Sequence, residues 1–199
     1  MLITEFLSSI FQTLIFTLIP FIWWLITARK KENFFSWIGL KKVEGNKKQI
    51  LLLLLIFFII CEVTGQISTR LFITGDWNHS TYAGMGIKGL PMGILYAYIH
   101  TGLSEEILYR GFLQKRLQKQ FGFKVGTFIQ AFIFGLSHVV LSAGLLDITI
   151  AEGIMLLVYP MIPACLTAYL NEKKCNGSIL PGWLIHGTLN LITQITELW

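Results

Sequence analysis

An all-α polytopic membrane helix bundle is the fold the sequence predicts, and three observations carry that reading. Hydrophobic residues make up 54% of the 199-residue chain and charged residues only 14%, little more than half the roughly 25% of a soluble domain. The mean hydropathy of +0.64 points the same way. Most directly, six stretches approach the roughly 20 apolar residues a helix needs to cross the hydrocarbon core. The same arithmetic excludes disorder, collagen-like repeats and coiled coils, which require polarity, glycine periodicity or heptads. Cys61, Cys165 and Cys175 are odd in number and widely spaced, so they give neither a disulfide framework nor a zinc knuckle. The sequence reads as a single membrane domain, with two spans and a basic loop in 1–70 and a four-span core in 90–198.

The first stretch, 6–27, contains no charge. Its N-terminal flank lacks a basic residue, its apolar run is longer than a signal peptide's, and a basic run follows it. It is therefore expected to be a retained anchor. The second, 50–68, is interrupted only by Glu62, which pairs in register with Gln66 one turn later. The third, 90–114, is the weakest by hydropathy because it holds Glu105, Glu106 and Arg110. The fourth, fifth and sixth are 125–143, 153–170 and 179–198.

Orientation follows from the connections. Segment 29–48 carries a balance of +5, from Arg29, Lys30, Lys31, Lys41, Lys42, Lys47 and Lys48 against Glu32 and Glu44. Segment 110–124 carries another +5, and segment 171–178 has Lys173 and Lys174 against Glu172. The alternate connections are poor in basic residues and contain Asp76, His79, Asp147 and Glu152. Positive-inside bias predicts the basic connections in the cytoplasm and both termini outside it. Charge located in this way reports topology and gives no reason to invoke nucleic acid. Within the first basic connection, Asn33 to Leu40 is rich in aromatics between lysine clusters, which suggests a short segment in the headgroup layer. Trp23, Trp24 and Trp199 suit interfacial belts. Gly89-x-x-x-Gly93 and Gly122-x-x-x-Gly126 allow close helix approach.

Ionisable residues inside a membrane span are costly, and each is a functional hypothesis. In a helix, Glu106 and Arg110 stand at i and i+4 and can pair on one face. Glu105 lies about 100° round from Glu106 and can point elsewhere, free to act as a general base. The fourth span places Phe134 and His138 on one face, and the sixth does the same for His186 and Asn190. A lone membrane histidine usually makes an interhelical hydrogen bond, and a carboxylate–arginine pair alone could be structural or a proton pathway. Carboxylates, an imidazole, and an imidazole with an amide on three spans together could activate a water and stabilise an oxyanion. Helical rise puts His186 about 12 Å above Ser178 and His138 about 21 Å past Lys124. For these residues to meet, the fourth span must begin outside the core or tilt. His100, on one face with Ser104, reads as packing or as support for the site.

Glu105-Glu106-x-x-x-Arg110, Phe134-x-x-x-His138 and His186-x-x-x-Asn190, in that order, resemble the three motifs of the CAAX protease and bacteriocin-processing enzyme (CPBP, or Abi) family. The flanking Arg110-Gly-Phe-Leu-Gln114 and Gly177-Ser-Ile-Leu180 are similar to the family's surroundings, and the likeness spans residues 90–195. The resemblance implies an intramembrane endopeptidase in a prokaryotic cell membrane, acting on a membrane-associated or lipid-modified peptide. It implies that Glu105 activates water with help from His138, that His186 and Asn190 stabilise the oxyanion, and that Glu106, Arg110 and Phe134 support them. It leaves open a divalent metal such as zinc, for which Glu105, His138 and His186 are ligands by type, although no H-E-x-x-H helix exists. The short chain fits the bacteriocin-associated members better than those acting on prenylated substrates. No G-x-S-x-G serine motif or pair of membrane aspartates is present. A non-catalytic bacteriocin-immunity or scaffold protein of the same fold is the alternative, and a proton-coupled carrier a third reading.

Overall fold

A computed structural model describes residues 1–72 and 82–199; Asp76 and His79 lie outside the described residues. The chain begins with α1 (Leu2–Thr27), the short α2 (Phe34–Ile38) and α3 (Lys47–Phe72). A continuous helical path over 90–121, here α4, starts as an α-helix at Leu90–Leu95. It widens into π-helix over Tyr96–Leu103 and again over Glu106–Gln114, then tightens at Lys115–Phe121. The remaining helices are α5 (Phe123–Leu145), α6 (Ile150–Tyr169, prolonged by a π turn at Leu170–Lys174) and α7 (Leu180–Thr196).

Among the described residues, four helical stretches are long and apolar enough to cross a membrane: Leu2–Thr27, Lys47–Phe72, Phe123–Leu145 and Ile150–Lys174. The protein is an integral membrane protein of all-α class. The other two expected stretches are helical where expected but are not apolar spans of the ordinary kind. α4 carries the ionised residues, and α7 has only 17 residues. They pack against each other through the first π segment of α4, which also rests on α1. The helices most polar in sequence therefore supply the interior, while the apolar helices turn many large hydrophobic side chains outward.

Local chemistry sets the boundaries. Asn33 caps α2 by accepting a bond from Ser36 N at 2.9 Å, and Gly39 ends it at φ +84°, a left-handed conformation natural to glycine. The aromatic segment 33–40 is thus a docked helix whose Trp37 and Ile38 are buried against α4 and Ile179. α6 opens with a capping box: Thr149 Oγ1 accepts from Glu152 N, and Glu152 Oε2 accepts from Thr149 N at 2.8 Å. Glu152, counted from sequence among the loop charges, is therefore a cap inside the first turn.

The three basic connections gather at one end of the bundle. Ile179 N donates to Gly39 O at 2.9 Å, and Ser178 Oγ donates to Lys41 O at 2.7 Å. Lys115 Nζ reaches both Glu172 Oε1 (2.6 Å) and Gly177 O (2.7 Å). Burial pulls the Lys115 pKa down, against the opposing pull of the Glu172 charge. The opposite end joins the termini: Gly86 N donates to Leu198 O at 2.8 Å, and the Tyr82 hydroxyl donates to Glu5 Oε2. Arg110 does not belong with the basic connection in which the sequence count placed it. It lies in the interior, where Glu106 holds it.

α5 begins where α4 ends, with Gly122 at φ +77° making the turn. A Cβ at Gly126 would stand 2.5 Å from Gln118 N, so only glycine lets the start of α5 lie on the last turns of α4. This close hairpin starts α5 two residues before the expected span, at Phe123.

Cys175 is fully buried in the cluster of Ile50, Phe57, Cys61, Leu170, Ile185 and Leu189. Burial pushes its thiol up to about 11, and the thiolate is the reactive form. Alkylation of Cys175 in the folded protein near neutral pH is therefore expected to be negligible, becoming complete on denaturation in dodecyl sulfate. Mass spectrometry of the modified peptide reads both states.

Candidate active site

The site grows from the second π segment of α4. A π turn adds a residue to the helical period and shifts every side chain after it, a device frequent at functional sites. Here Ser104 and Glu105 sit between two such segments. Glu106 is fully buried, while Glu105 keeps 16% side-chain exposure. The two adjacent carboxylates therefore occupy different environments, as the helical angle between them predicts.

The expected Glu106–Arg110 pair is present: Arg110 Nε lies 3.2 Å from Glu106 Oε1, with both side chains out of solvent. The guanidinium also lies over the Phe134 ring, 4.2 Å from its centroid, a favourable cation–π contact. Edge-on to the same ring stand Tyr109 at 4.8 Å, His138 at 4.6 Å and His186 at 6.0 Å. Phe134 is thus the hub through which α4, α5 and α7 meet.

His186 stands between the two carboxylates. Its Nδ1 is 3.2 Å from Glu106 Oε1 and its Nε2 is 3.5 Å from Glu105 Oε2. His138 is held differently: its Nδ1 lies 2.8 Å from the Phe134 carbonyl, so Nδ1 donates and Nε2 is left without a partner among the described residues. Among the described residues no hydrogen bond or ion pair joins His138 to Glu105. Asn190 lies one turn beyond His186, and its Nδ2 donates to Thr101 Oγ1 at 2.8 Å. Thr101 in turn donates to Tyr96 O, five residues back, so the first π segment positions the amide's anchor.

Glu105, Glu106, Arg110, Phe134, His138 and His186 are therefore brought together, and Asn190 is tied to the same helix slightly farther out. Among the described residues no three His, Cys, Asp or Glu side chains gather as a metal-holding group. His186 faces both carboxylates, and His138 places Nδ1 on the Phe134 carbonyl and leaves Nε2 unengaged.

Sequence reading missed several contributors. Asn171, 1% exposed, accepts a bond from Gly182 N through Oδ1 at 3.0 Å. In the sequence it stands at the start of a basic connection, one residue before Glu172. Glu5, one turn inside α1, binds His100 Nδ1 at 3.0 Å, while Gln12 Oε1 meets His100 Nε2 at 2.9 Å. His100 therefore clamps α1 to α4. The signal available was that a membrane histidine needs polar partners, and Glu5 was the nearest unassigned one. Glu62 and Gln66 form the expected pair at 3.0 Å, on the outer face of α3.

Gly182 offers a direct test of this packing. A Cβ there would fall 2.6 Å from Asn171 Nδ2 and 2.9 Å from Glu106 Oε2, and both neighbours are buried. Gly182→Ala is expected to cost about 1–3 kcal/mol by overpacking and to displace Glu106. Thermal unfolding in detergent would show the lowered midpoint, and proteolytic activity would fall with it.

The fold is an integral membrane bundle in which carboxylates and histidines from three helices meet around Phe134. Residues 86–192 match the family of the type II CAAX prenyl endopeptidase, Rce1-like, and the chain belongs to that family, a branch of the CPBP proteins. The matched stretch contains all seven residues of the three motifs. Comparisons with curated proteins and with solved structures return no match. At the level of its family, the chain is a CAAX-type intramembrane endopeptidase.

Proposed function

We propose that this protein hydrolyses a peptide bond in a membrane-associated or lipid-modified peptide, with Glu105 as the general base. The observation that supports this most is His186 suspended between Glu105 and Glu106 while Arg110 balances Glu106. One carboxylate is structural, and the other is partly open to a water. Glu105 takes a proton from that water as its oxygen adds to the scissile carbonyl carbon, and His138 Nε2 accepts a hydrogen bond from the same water. The oxyanion is stabilised by donors from His186 and the Asn190 amide. Collapse breaks the C–N bond, and the departing nitrogen takes the proton that Glu105 acquired. No step passes through a metal. The prenylated CAAX peptide named in the family's description is one member of the substrate class. The positive-inside rule favours a cytoplasmic basic end with both termini outside, and the family resemblance favours a prokaryotic cell membrane.

The test uses Glu105→Ala and His138→Ala variants expressed in the native host at wild-type level. Labelling of new N-termini in the membrane fraction should show cleavage products that vanish in each variant. Products retained in both would overturn the reading and leave a non-catalytic immunity or scaffold role. Treating the purified enzyme with a chelator is expected to leave cleavage unchanged, and a loss restored by zinc would overturn the metal-free chemistry.

A further inference from the structure

At the basic end, a cleft of about 660 Å³ opens between the end of α1 and the last turns of α4, lined in part by Trp23, Lys31, Glu32, Trp37, Arg116 and Lys119. That volume is within the range of small-molecule sites. Three cations face one carboxylate, and the walls are indoles of the kind found at headgroup level. Arg116 lies flat on Trp37, its Cζ 3.8 Å from the ring centroid, which fixes the guanidinium. Its Nη1 is nevertheless buried without a hydrogen-bond partner among the described residues. Burial pulls the Arg116 pKa down, against the nearby charges of Glu32 and Glu172. Arg116 lines the cleft, and a fixed, partly desolvated guanidinium is a site for an anion of planar or tetrahedral oxygens.

We propose that this cleft binds the phosphate of an anionic phospholipid from the adjoining leaflet. Its position supports a lipid, since α1 carries an outward apolar surface up to the cleft, where Trp23 is half exposed. Acyl chains can lie along α1 while the headgroup reaches Arg116, with Lys31 and Lys119 at the rim. Basic pockets at helix ends recognise such headgroups. The proposal is independent of the hydrolytic reading, because its readout is binding.

The test titrates full-length protein in neutral detergent with phosphatidylglycerol or phosphatidylcholine and counts retained lipid by native mass spectrometry. Phosphatidylglycerol should be retained preferentially. The exposed Lys31→Gln and Lys119→Gln changes should each weaken that retention about five-fold without altering the thermal midpoint, and Glu32→Gln should strengthen it. Equal retention of the two lipids, or indifference to both lysine variants, would overturn the proposal. Displacement of the lipid by excess inorganic phosphate would reassign the cleft to a free anion, and displacement by an acidic peptide would reassign it to a protein partner.

Discussion

Glu105→Gln is expected to reduce turnover by about 10²–10⁴-fold, the contribution of a positioned general base, with little change in substrate binding. The exchange keeps side-chain volume and a hydrogen-bonding group opposite His186 Nε2, now 3.5 Å from the carboxylate, so the fold should survive. The fall should appear in kcat with KM nearly unchanged, because the lost interaction acts only as the transition state forms. Single-turnover cleavage of a peptide identified from the new N-termini measures it. Glu106→Gln supplies the contrast, since Glu106 is fully buried and faces Arg110. It should lower stability as well as rate. An active Glu105→Gln enzyme beside an inactive, stable Glu106→Gln enzyme would exchange the two roles.

The difference between the two carboxylates was legible in the sequence, because adjacent residues on any helix diverge by about a quarter turn. So was the Glu106–Arg110 pair, which needs only the i, i+4 spacing. The π-helical widening of α4 was not, since hydropathy carries no record of an extra residue per turn. That widening sets which carbonyl Thr101 reaches, and through it where Asn190 is held. Phe134 could be placed on one face with His138, but its function as a shared surface for Arg110, His138 and His186 depends on how three helices cross. Counting spans by apolarity worked best for helices with few ionised letters, α5 among them although it supplies Phe134 and His138. α1, α3, α5 and α6 stand out because they meet lipid, whereas α4 and α7 turn polar residues inward. Arg110 shows the limit of charge counting: the letter is basic, yet its charge is spent inside the bundle.

The largest loss of stability is expected from Arg110→Met. Arg110 is 2% exposed and Glu106 is not exposed at all, so removing the cation leaves a carboxylate in the interior without its balancing charge. Breaking a buried pair from one side costs about 3–5 kcal/mol, and in a domain of this size each kcal/mol moves the thermal midpoint by about 2–4 °C. The guanidinium's seat on Phe134 is lost in the same change, which pushes the effect the same way. Glu106→Gln/Arg110→Met removes both charges and should recover much of the lost midpoint, because the penalty arises from the stranded carboxylate. A double-mutant cycle in detergent isolates that coupling. Near-additive losses would mean that Arg110 stabilises chiefly through Phe134, and Phe134→Leu would then reproduce most of the Arg110→Met defect. Recovery in the double variant without recovery of cleavage would separate the two duties of the pair. Neutralising Glu106 restores the packing, while only the charged pair keeps His186 between the carboxylates and Glu105 aimed at the water.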